Sequence, residues 1–203
     1  MTSRAGTARA AATQERLLAA AVSELVDSGG HLELRSVAQA AGVVPSVASH
    51  HFGSRSGLVA AVVEGFFARF HAEVLDTDLR AYGPWFEREH ERVRRGVRFH
   101  MTDALAPVVY GSLSRDPEVA AVEQRCIAQV VGESARNIAA AQRAGELPRS
   151  VAPELAAAAI FGAARQITLT ALTAPRRPAQ DTVVELLWRL TVATVTPATE
   201  RTP

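Results

Sequence analysis

Apolar positions recur at three- and four-residue spacing from residue 17 onward, where Leu17, Leu18, Ala21, Val22, Leu25 and Val26 share one helix face. Thr13 is the expected N-cap of this helix and Gly29-Gly30 its stop. Residues 1–11 have no apolar period and are expected to form a flexible tail carrying Arg4 and Arg9. Leu34, Val37, Ala38 and Ala41 then predict a short second helix closing at Gly42. Pro45, whose missing N–H costs nothing in a first turn, opens a third helix running to about Phe52. Val47 and His51 fall on one side of it, with Ser46, Ser49 and His50 on others. After Gly53, Ser54 or Ser56 caps a fourth helix that begins near Gly57-Leu58 and reaches toward Leu75.

Proline and glycine punctuate the remainder into helical segments near 84–104, 105–114, 116–144, 152–173 and 180–195. No period-two alternation argues for a strand, and no internal repeat is present. The expected fold class is all-α: a tight cluster of short helices followed by a bundle of longer ones.

Composition supports that reading, with 48% hydrophobic residues, abundant alanine and only 5% aromatics. All 22 basic residues are arginine, and against 21 acidic residues they leave a net charge of +1. Overall charge therefore gives no nucleic-acid footprint. Any anion contact falls to guanidinium, hydroxyl or backbone N–H. The single cysteine, Cys126, excludes an intrachain disulfide and a cysteine-based zinc finger, and its apolar neighbours predict a buried, inert thiol. The N-terminus lacks the apolar core of a signal peptide, and no stretch approaches the ~20 uncharged apolar residues of a membrane span. The expectation is a cytoplasmic protein without membrane contact.

The second and third helices, joined by a turn at Gly42, have the spacing of a helix-turn-helix. Residues 32–63, "LELRSVAQAAGVVPSVASHHFGSRSGLVAAVV", resemble the DNA-binding signature of TetR-type transcriptional regulators, with Ala41-Gly42-Val43, His51-Phe52, Gly53-Ser54-Arg55 and Leu58 all in place. Residues 136–166, with Ala144-Gly145-Glu146-Leu147 and Pro153-Glu154-Leu155-Ala156, are similar to the more divergent C-terminal half of that family. The resemblance implies an N-terminal three-helix DNA-binding domain over 12–60 and an effector-binding and dimerisation domain over 61–203.

It further implies DNA-facing roles for Ser46, Ser49 and His50, with His51 packing or touching phosphate and Arg35, Val44, Pro45 and Arg55 along the same border. Arg55, at the start of the fourth helix, takes the place of the family's basic phosphate contact. Val37, Ala38, Ala41, Val47 and Phe52 are the expected miniature core. The chain departs from the family's pattern at Glu33 and Val44, where Ser or Thr is usual, at Ser49, where tyrosine is common, and at Ser46, where glycine is common. Each departure removes or shortens a phosphate contact.

A metal site at His50-His51 is disfavoured, because adjacent helical residues project about 100° apart. No metal or cofactor is expected. In the resembled family an effector cavity lies among the central helices, and Trp85, Phe99, His100, Met101, Tyr110, Arg165, Gln166 and Thr170 are its candidate lining here. For each aromatic, core packing is the competing reading. The last two helices carry more apolar surface than a solvated helix needs, which fits the family's homodimer interface. The implied partners are a pseudo-palindromic double-stranded operator, a small-molecule effector and a second copy of the chain.

Three readings remain at this point. The first is a ligand-responsive regulator, and the second a helical-bundle carrier or small enzyme with an incidental helix-turn-helix. The third is an architectural DNA-binding protein without an effector. Against an enzyme, no nucleophile, base and orienting group stand at usable spacing, and no Gly-rich phosphate loop is present.

Overall fold

The computed structural model describes residues 3–111, 113 and 116–196, with side chains from Thr7 onward. The helices are α1 (Ser3–Asp27), α2 (Leu34–Ala40), α3 (Pro45–Phe52), α4 (Arg55–Phe70), α5 (Trp85–Thr102), α6 (Ala106–Gly111), α7 (Pro117–Ala144), α8 (Pro153–Thr173) and α9 (Gln180–Val195). No strand occurs among the described residues. The all-α expectation holds, and the punctuated segments match α5 to α9 closely.

Three local expectations change. Helix α1 begins at Ser3, so most of the expected tail is helical. Alanine-rich sequence propagates a helix without any apolar face to advertise it. Thr13 consequently lies inside α1 rather than at its cap, and its hydroxyl donates back to the Arg9 carbonyl at 3.0 Å. Helix α4 starts at Arg55 and gives way at His71 to a π-helical turn, His71–Leu75, in place of a continuous α-helix to Leu75.

The fold divides into two compact units, one built from residues up to 67 with 107–124, the other from 68–106 with 125–203. The described residues 107–111, 113 and 116–124 cluster with the N-terminal helices. Helices α4 and α7 each contribute residues to both units.

The first unit buries Leu17, Ala21 and Leu25 of α1, Val37 and Ala38 of α2, Ala48 of α3 and Leu58, Val59, Val62, Val63 and Phe66 of α4, with α1 packed on α2 and α2 on α3. Phe66 meets Tyr110 edge-on, with ring centroids 5.8 Å apart. In the second unit α8 packs on α9 and α5 on α9. Trp85, Ile138, Leu147, Ala157 and Val195 form one apolar cluster, and Val97, Val183, Val184 and Leu187 another.

Helix α8 is long and apolar enough to cross a membrane by length and composition alone, with a mean hydropathy of 1.4 over its most apolar window, but it carries Glu154 and Arg165 and so is not an uncharged apolar run of ~20 residues. Only 28% of that window is buried. Cys126 is half-buried, not enclosed as expected, because its stretch of α7 presents it near the helix surface.

Candidate nucleic-acid interface

The turn between α2 and α3 is a Schellman closure. Gly42 N–H donates to Gln39 O at 3.0 Å and Val43 N–H to Ala38 O at 2.9 Å, with Gly42 at φ +67°. A residue with a Cβ is strained at that φ, so glycine sets the sharp change of direction. Val44 follows in extended conformation as the N-cap of α3, and Pro45 takes the first helical position. Neither Glu33 nor Val44 makes a side-chain cap bond to its helix. At α3 the absence of Ser or Thr leaves the helix start open, which favours an anion, whereas at α2 Glu33 N–H donates to the Glu24 carboxylate at 2.7 Å and two acidic side chains oppose one.

On α3, Ser46, Ser49 and His50 stand at i, i+3 and i+4 and are all exposed, so they form one continuous polar stripe. Val44 and Pro45 extend that exposed border, and Arg35 is exposed on α2. His51 is half-buried, edge-on to His50 at 5.8 Å and tilted against Phe52 at 6.2 Å.

The buried anchor of α3 is Ala48, fully enclosed, whereas Val47 and Phe52 are only half-buried. The expected miniature core was right at Val37, Ala38 and Ala41 and shifts by one residue on α3. The bulkier Val47 masked a helix face that actually turns on a small side chain.

Arg55 is exposed, but its Nε donates to the Leu32 carbonyl at 2.8 Å, which ties the start of α4 to the chain just before α2. Ser54 caps α4, its Oγ accepting from Gly57 N–H at 2.9 Å. Gly57 has a further reason to be glycine. A Cβ there would lie 2.1 Å from the Phe52 carbonyl oxygen, so the end of α3 and the start of α4 meet backbone to backbone.

Ser56 Oγ donates to Asp116, which also caps α7 by accepting from Glu118 N–H at 2.9 Å. That hydrogen bond from Ser56, more than the nearby Arg55 charge, holds the Asp116 carboxyl below the usual carboxylate range. A fixed negative charge beside Arg55 opposes any anion approaching this guanidinium. Neither Gly57 nor Asp116 was singled out from sequence, since both owe their roles to partners reached only in the fold.

The candidate effector residues scatter. Trp85 is buried in the Ile138–Val195 cluster, and its backbone N–H donates to the Glu146 carboxylate. Phe99 and His100 come together against Phe70, at 5.5 and 5.0 Å. Met101 packs on the Val97–Val183 cluster, and Tyr110 lies in the other unit against Phe66 and Phe67. Arg165 is half-buried on α8, while Gln166 and Thr170 are exposed and bonded to each other at 3.4 Å. Among the described residues, Phe99 meets His100 and Gln166 meets Thr170.

No protein-family model and no curated protein matches the sequence. Solved structures do match. A Rhodococcus sp. protein assigned to the TetR family of transcriptional regulators superposes with a TM-score of 0.73 at 21% identity, covering 91% of this chain and 99% of its own. NalD of Pseudomonas aeruginosa, the secondary repressor of the MexAB-OprM multidrug efflux pump, gives 0.71 at 17% identity over 94% and 98%. The chain has the TetR-type fold.

The fatty acid degradation regulator FadR of Bacillus halodurans shares the fold as well, at a TM-score of 0.69 and 15% identity over 93% and 97%. Coverage this complete means that both units, not just the helix-turn-helix, follow the TetR-type plan.

Proposed function

We infer that the protein is a homodimeric, sequence-specific DNA-binding transcriptional regulator, a repressor released from its operator by a small-molecule effector. The observation that carries the reading is the exposed Ser46-Ser49-His50 stripe on the second helix of a helix-turn-helix, presented next to the open start of that helix. Side chains of this kind read base edges in the major groove, while Arg35 and the start of α3 meet phosphates; Arg55, held by the Leu32 carbonyl beside Asp116, positions α4 instead. Repression is the reading that NalD's description brings to the same fold.

Dimerisation is supported by the outward face of α8 and α9, where Leu155 is 73% exposed, Leu186 40% and Leu190 38%. A second copy covers this face in the proposed dimer, and the exposed Gly162 on α8 leaves room for close helix approach. Two recognition helices about 34–36 Å apart then enter successive major grooves. An effector lodged in the second unit acts through α4, favouring a spacing that no longer fits DNA.

Selection of bound duplexes from a random pool tests the reading. The dimer is expected to enrich a pseudo-palindrome whose affinity falls steeply with salt. Ser49→Ala with His50→Ala is expected to relax sequence preference while leaving the helical circular-dichroism signal intact. Enrichment of no palindrome at low salt refutes the proposal.

A further inference from the structure

His71 opens the π-helical turn that follows α4, and Asp76 is the residue directly after that turn. On a regular α-helix, residues five apart project about 140° away from each other. The π register instead closes an i to i+5 bond, Asp76 N–H to His71 O at 2.9 Å, and brings Asp76 Oδ1 to 3.6 Å from His71 Nδ1. From α7, Glu133 places Oε2 2.8 Å from His71 Nε2. One ligand atom from each of the three residues lies within 4.8 Å of the others.

Two further observations point to a cation. His71 Nε2 is buried and makes no hydrogen bond, being close to Glu133 Oε2 but misaligned with it. Buried polar nitrogens are ordinarily satisfied, and a metal ion satisfies an imidazole and a carboxylate at once. Glu133 is also held from behind, because Gln129 Nε2 donates to its Oε1 at 3.4 Å and Arg136 lies 3.6 Å from the same atom. That leaves Oε2 facing the histidine, as supporting partners do around metal ligands.

We propose that His71, Asp76 and Glu133 form a binding site for a divalent cation of the zinc type. One imidazole with two carboxylates suits Zn²⁺, Co²⁺ or Ni²⁺, whereas magnesium and calcium prefer all-oxygen shells. An ion takes one imidazole nitrogen, here Nε2 beside Glu133, and the exposed Asp76 carboxylate, with donors within 4.8 Å of one another, swings from the Nδ1 edge of the ring to complete the site. Asp76 is exposed on its outer side, which leaves a coordination position for water. The Arg92 guanidinium, donating to Val74 O at 2.8 Å and Leu75 O at 2.9 Å, fixes the same turn from α5.

The test uses the full, tag-free chain stripped by chelator, with Zn²⁺ titrated calorimetrically and Co²⁺ followed by its visible absorption bands. One ion per chain is expected, with affinity weakened by about tenfold to a hundredfold in Asp76→Asn and in His71→Gln. Asp76 is largely exposed, so Asp76→Asn keeps the fold even if His71→Gln does not. Failure to bind one equivalent at about 100 μM Zn²⁺ overturns the proposal. Binding that is unchanged in Asp76→Asn also overturns it, by placing the ion elsewhere, for example at His50 and His51.

Discussion

Two glycines of α4 show how differently one residue type is used. At Gly57 a Cβ collides with the Phe52 carbonyl oxygen, whereas at Gly65 nothing lies within 4 Å. Gly57→Ala is expected to cost about 2–3 kcal/mol, because a backbone cannot give way as a side chain does. Gly65→Ala should be neutral or gain up to about 1 kcal/mol from helix propensity. Urea unfolding of both variants reads the contrast directly. His100 offers a pH signature at the same scale. Burial pushes its pKa from 6.5 down to about 4, although its ring bonds Gly96 O at 2.7 Å. Between these values the unfolded chain binds a proton that the native protein does not. Native stability is therefore complete above pH 6.5 and falls as the pH drops toward 4, by about 3 kcal/mol in all. His100→Asn should flatten that part of the stability profile.

Among elements, the π-helical turn is held by a half-buried charge network. Arg92 donates its Nη1 protons to two carbonyls of the turn and its Nε proton to Glu89 at 3.1 Å, and Asn137 donates to the same carboxylate at 3.0 Å. Burial pushes the Glu89 carboxyl up, and Arg92 and Asn137 counteract it. Arg92→Ala leaves the carboxylate and two carbonyls without their partner and is expected to cost about 3–5 kcal/mol. Arg80→Ala is the control. Its pair with Asp78 is solvent-exposed, so the unfolding midpoint should not move. The alternating charges of α5 give i,i+4 pairs such as Arg95 with Glu91 at 2.8 Å. That Arg92 turns inward was not readable, because its acceptors belong to a turn that departs from α-helical register.

For the whole molecule, the proposed function requires two copies. Leu186→Glu combined with Leu190→Glu places charge on the outward face of α9 and is expected to yield a monomer in sedimentation velocity. Operator affinity should fall with it by about a hundredfold or more, since the second recognition helix is no longer delivered at high effective concentration. A variant that remains dimeric would place the interface on another face.

Apolar period, together with proline and glycine punctuation, determined which segments are helical. Helical spacing set Ser46, Ser49 and His50 apart from Val47 and His51 on α3, and the resemblance to TetR-type regulators supplied their DNA-facing role. Tertiary structure alone decided the rest. It made Ala48 the anchor of α3, required glycine at 57 through the carbonyl of another helix, set Asp116 beside Arg55, and scattered the candidate effector residues among separate clusters. It also brought His71, Asp76 and Glu133 together through a change of helical register and a contact across sixty-odd residues. Those arrangements depend on which backbone meets which, and periodicity along one chain segment carries no information about its partner.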